Sequence, residues 1–71
     1  MEVLVFKTNV KFKKHIVEVL PHLNNIKGIL RWNVDLQDTD KILRIETLDL
    51  SPRIIENTLQ QAGYFCEELT D

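Results

Sequence analysis

HIVEVLPHLNNIKGILRWNVDL, from His15 to Leu36, changes its hydrophobic period once and so sets a helix before a strand. In its first half Ile16, Val19, Leu20, Leu23 and Ile26 fall on one face of a helix. In its second half Leu30, Trp32, Val34 and Leu36 alternate, the pattern of a strand with one covered face. Asn24, Asn25 and Gly28 lie between the halves as helix stops. The spacing predicts a helix over residues 13–26 and a strand from Ile29 to Leu36. Pro21 sits inside the helical pattern. It lacks an N–H and predicts a kink or a detached last turn, at ~3 kcal/mol if uncompensated.

Working outward, Val3-Leu4-Val5-Phe6 is a β-rich run expected to form a central strand, and Thr8-Asn9 a turn. Beyond Leu36, Gln37-Asp38-Thr39-Asp40 reads as a polar hairpin turn. Lys41 to Thr47 reads as the next strand, with Leu43 and Ile45 on one face and Ile42, Arg44 and Glu46 on the other. Ser51-Pro52 starts a second helix with a hydroxyl cap and a proline at the first helical position. Ile54, Ile55, Leu59 and Ala62 make its apolar stripe, Gly63 ends it, and Tyr64 to Leu69 is a last strand. The order β-α-β-β-α-β gives an α+β, ferredoxin-like sandwich: a four-stranded antiparallel sheet with two helices on one face. The expected strand order is 4-1-3-2, with Ile16, Val19, Leu23, Ile55 and Leu59 facing the sheet.

Seventy-one residues are enough for one domain, residues 1–71, near the lower limit for folding on an apolar core alone. A single cysteine, Cys66, excludes an internal disulfide and a four-cysteine zinc site. No apolar run reaches the ~18 residues of a membrane span. Met1 leads directly into a strand without a basic leader, so a reducing cytoplasm is the expected setting. Residues 1–31 carry six Lys/Arg against two acids, and residues 32–71 carry three against nine. Lys11, Lys13 and Lys14 gather where the first helix begins, although positive charge there opposes the helix macrodipole. They are a solvated helix start or a surface that steers an acidic partner.

Several spacings coincide from the first helix onward. They are His15, Val19 and Leu23; Gly28-Ile29; Val34-Asp35-Leu36; and Ala62-Gly63-Tyr64. Together they resemble the heavy-metal-associated domain of copper chaperones and of P-type ATPase N-terminal modules. That resemblance implies binding and transfer of a soft metal ion, Cu(I) or Zn(II), by a Met-x-Cys-x-x-Cys loop before the first helix. Thiolates are soft donors, and a helix N-terminus lowers a thiol's pKa. Here the loop reads Val10-Lys11-Phe12-Lys13-Lys14-His15, with Phe12 at the first ligand position and His15 at the second. Val10 takes the place of the apolar residue that pins the loop, and Tyr64 that of a tyrosine close to it. Phe12 has no donor atom and Lys13 and Lys14 repel a cation, so the metal site is expected to be degenerate, with weak binding or none.

The leading reading is then a heavy-metal-associated-like module acting in protein interaction or regulation. Its docking loop comprises Val10, Lys11, Phe12, Lys13, Lys14 and Tyr64. Two others stay open. His15 binds metal with ligands from a second protomer or a partner, or the chain is a small-molecule sensor resembling ACT domains, whose sites lie between protomers. His15 and His22 stand ~10 Å apart along one helix and cannot share an ion. Cys66 reads as a small buried apolar residue. Asp35, Asp38 and Asp40 read as turn acids without the pattern of a calcium loop. Phe12 either folds inward beside Val10 and Tyr64 or stands out as an anchor, and the ~2–3 kcal/mol from burying a phenylalanine favours the inward position. There is no catalytic motif and no phosphate loop, so no enzyme is expected. The third strand has no aromatic, which argues against RNA recognition. The expected partner is an acidic protein surface, or a second copy in a homodimer, with neither nucleic acid nor membrane insertion.

Overall fold

A computed structural model describes residues 1–70. It contains β1 (Glu2–Thr8), α1 (Lys13–Asn24), β2 (Ile29–Asp35), β3 (Ile42–Thr47), α2 (Pro52–Gln61) and β4 (Cys66–Glu68). The strands form one sheet in the order β2-β3-β1-β4, every pair antiparallel. This is the expected ferredoxin-like sandwich and the expected strand order. No helix of the described residues is long and apolar enough to cross a membrane.

The core comes from the period-two faces of the central strands and one stripe of each helix. Leu4 and Phe6 from β1, Leu43 and Ile45 from β3, Val19 and Leu23 from α1, and Ile55 and Leu59 from α2 are buried together. Ile16 and Ile26 pack against this cluster at the two ends of α1. Leu20 and Ile54, both placed on buried stripes by their spacing, are instead exposed. Each lies at the margin of a stripe wide enough for only two fully buried side chains. α1 runs through Pro21 to Asn24, two residues short of the expected end, and Ile26 N–H closes a further turn on Leu23 O at 3.1 Å.

Three strand expectations need correction. β2 carries a register shift between Ile29 and Arg31, so Leu30 leaves the face that Trp32 and Val34 share and is 53% exposed. β2 and its neighbour β3 are also each shorter at one end: β2 stops at Asp35 and β3 begins at Ile42, not Lys41. Lys41 is held at φ 49°, outside strand geometry. The last strand begins at Cys66 because Tyr64 belongs to the end of α2. Its N–H bonds Leu59 O at 2.9 Å while Gly63 N–H bonds Gln60 O at 3.0 Å. That pair of bonds, with Gly63 at φ 95°, is the Schellman closure of a helix.

Candidate functional site

The loop between β1 and α1 is fixed from both ends. Thr8, buried at the end of β1, donates its hydroxyl to Lys41 O at 2.6 Å and accepts Val10 N–H at 3.2 Å. Val10 is completely buried and anchors the loop in the core. Asn9 Oδ1 accepts Phe65 N–H at 2.9 Å, tying the loop to the segment before β4. The loop is therefore a rigid platform, with its apolar pin where the sequence placed it.

Phe12 is the N-cap of α1. Its backbone is extended, and it has no side-chain cap to offer the first turn. Against the inward expectation, its ring stands out and is 57% exposed. Val10 is the side chain that this loop buries, and Phe12 two residues later is turned to solvent. Lys11, Lys13 and Lys14 are exposed around the ring, and Lys14 Nζ lies 5.9 Å from its centroid, a cation–π arrangement. None of the three lysines makes an ion pair among the described residues.

His15 lies between two aromatic rings. Its centroid is 5.2 Å from that of Phe12 and 5.4 Å from that of Tyr64, both tilted. Its Nδ1 accepts Lys11 N–H at 3.2 Å, closing the turn that leads into α1. An accepting Nδ1 places the ring proton of the neutral imidazole on Nε2. A metal at Nε2 would require that proton on Nδ1, and a metal at Nδ1 would take its lone pair. Either mode breaks the bond to Lys11. Among the described residues no three His, Cys, Asp or Glu side chains gather as a metal site.

Tyr64 reaches the same corner from the Schellman turn. Its hydroxyl donates to Glu18 Oε2 at 2.5 Å, across 46 residues of sequence. That hydrogen bond, with partial desolvation and the carboxylate's charge, pushes the phenol up to about 12. Glu18 and Asn9 are the members of this corner that sequence reasoning did not single out. Both act through partners far along the chain, so spacing alone gives no signal for them. Cys66 stands apart, buried with the core, and its burial followed by the charge of Glu56 pushes the thiol up to about 12. His22 lies exposed in the last turn of α1.

Comparison of the sequence with family models and with curated proteins gives no match. Comparison of the fold does. The yeast copper transporter domain Ccc2a is similar at TM-score 0.84 and 14% identity, covering 100% of this chain and 99% of that one. The first domain of the human copper chaperone for SOD1 is similar at TM-score 0.77 and 18% identity, covering 93% and 89%. The Atx1-Cu(I)-Ccc2a complex holds a chain similar at TM-score 0.80 and 14% identity, covering 100% and 99%. This chain thus has the fold of the heavy-metal-associated domains of copper chaperones and metal transporters.

Proposed function

We propose that this protein is a heavy-metal-associated-like module with a degenerate metal site, acting through protein contact rather than by carrying a metal ion. The observation that carries the reading is Phe12, exposed at the mouth of α1 where a thiolate would be needed. Soft ions want two soft donors, and this corner offers one imidazole whose Nδ1 is already engaged. The donor set does not fit Cu(I) or Zn(II) held by one chain.

What the corner offers instead is an aromatic ring on a hydrogen-bonded loop, within a cluster of lysines that make no ion pair among the described residues. Exposed aromatics ringed by charge are common centres of protein contacts. The lysines would steer an acidic surface and raise its on-rate more than its affinity. The fold supports a role in protein contact, since the similar Ccc2a domain is part of a complex with Atx1 and Cu(I). The same assembly favours a second reading, in which His15 completes a metal site with ligands from a partner.

A Cu(I) titration against a competing chelator tests the first reading. The expected result is no stoichiometric binding by the isolated chain. One tightly held ion per chain, lost in His15→Ala, would establish the second reading in its place. For the contact surface, Phe12→Ala should abolish partner capture while melting stays unchanged. Retained capture would remove Phe12 from the interface.

A further inference from the structure

The two edges of the sheet are treated differently. At the β4 edge, the N–H of Glu68 is taken by Glu56 Oε2 from α2 at 2.9 Å, so the outer row of that strand is partly blocked. At the β2 edge the register shift at Leu30 disturbs only the first end, and Arg31 to Asp35 run regularly beyond it. Among the described residues the main chain of Arg31 to Val34 makes no hydrogen bond outside its ladder to β3. Proline and lysine, the usual guards of an open edge, do not occur between Ile29 and Asp35. Arg31, the strand's one cation, is turned onto Glu46 of β3 at 2.8 Å.

We infer that β2 pairs antiparallel with β2 of a second copy about a twofold axis at Asn33, joining two sheets into one. The register follows from the strand itself. After the shift at Leu30 the regular ladder runs from Arg31 to Asp35, and its centre is Asn33. Pairing about that centre sets Arg31 opposite Asp35 of the second copy, and Asp35 opposite its Arg31. On the other face Trp32 meets Val34 of the second copy, again twice. Opposite charges directly across, and an aromatic against a β-branched residue, are the favourable cross-strand pairs. The twofold makes every good pair occur twice, as an isologous interface requires. A register centred on Trp32 instead sets Arg31 against Asn33 and leaves Asp35 facing Ile29, without charge complementarity. Arg31 has capacity for the added contact: its side chain is 76% exposed, and only Nε and one terminal nitrogen engage Glu46.

Such an interface falls at the small end of specific contacts, below about 1,200 Å² of buried surface, so the dimer is weak and concentration-dependent. Sedimentation velocity over a concentration series is the first experiment, with dimer expected to accumulate as concentration rises. Asp35→Arg should abolish it by setting like charges across the axis. Combined with Arg31→Asp it should restore it, with circular dichroism confirming that each variant is folded. Asn33→Cys should form an interchain disulfide under mild oxidation, whereas Arg31→Cys, displaced from the axis, should not. A chain that remains monomeric at millimolar concentration overturns the inference. So does a dimer that ignores the charge swap, or one that fails to crosslink through position 33.

Discussion

Val10 and Phe12 are two residues apart in one loop and have opposite fates, which makes them a controlled pair. Val10 is fully buried and Phe12 is 57% exposed. Val10→Ala should cost about 2 kcal/mol in chemical denaturation, as the loss of a buried aliphatic side chain. Phe12→Ala should stay within about 0.5 kcal/mol, as a surface change. Equal losses would mean that the ring is packed in solution. The glycines give a second comparison. Both take positive φ, so alanine is strained at each, by ~1–2 kcal/mol. At Gly63 an added Cβ meets nothing within 4 Å, but at Gly28 it comes within 3.2 Å of Leu50 Cγ. Gly28→Ala should therefore be the more destabilising of the two, and a reversed order would show that Leu50 yields freely.

α1 begins against its own interest. It has no side-chain cap, no acid in its first turn, and lysines at its first two positions. Replacing Lys13 by glutamate should raise stability by ~0.3–1 kcal/mol through the macrodipole. If the lysines serve a partner, the same change should slow association with it, and stopped-flow rates at low and high salt would show this. A variant more stable and equally fast in association would leave the lysines without that role. α2 shows the opposite design: Ser51 Oγ accepts Arg53 N–H at 3.3 Å, Pro52 follows, and Gly63 closes the far end. Its C-terminal closure is what delivers Tyr64 to the loop, so the best-formed helix in the sequence positions the least legible corner of the fold.

At the scale of the whole molecule, Cys66 and Tyr64 each hold their proton more tightly folded than unfolded. The Cys66 thiol rises from 9.0 to about 12 through burial and the charge of Glu56. The Tyr64 phenol rises from 10.0 to about 12 through its hydrogen bond to Glu18. A raised folded pKa contributes stability that is complete below the unfolded value and lost as pH climbs toward the folded one. The denaturation midpoint should hold from neutral pH to about 9 and then fall steadily toward about 12. Cys66→Ala should remove the early part of that fall, between about 9 and 10, where only the thiol titrates. A profile flat to pH 12 in the parent chain would contradict both couplings.

The sequence alone determined the element order, the strand order and most of the core. Those follow from local patterns: the period of apolar residues, the Ser51-Pro52 start, and the glycine that must follow α2. Burial of Val19, Leu23, Ile55 and Leu59 was legible because each lies at the centre of its stripe. Leu20 and Ile54 were not, because residues at a stripe's margin are buried or bare according to how close the neighbouring element comes. Val10 was legible as a pin, whereas the outward turn of Phe12 follows from how the extended chain enters α1, which apolar spacing does not report. The bond from Tyr64 to Glu18 joins residues 46 apart, and only the folded chain shows that, among the described residues, nothing bonds the outer main chain of Arg31 to Val34. Periodicity assigns a residue to a face. Only the tertiary structure decides what, if anything, comes to cover it.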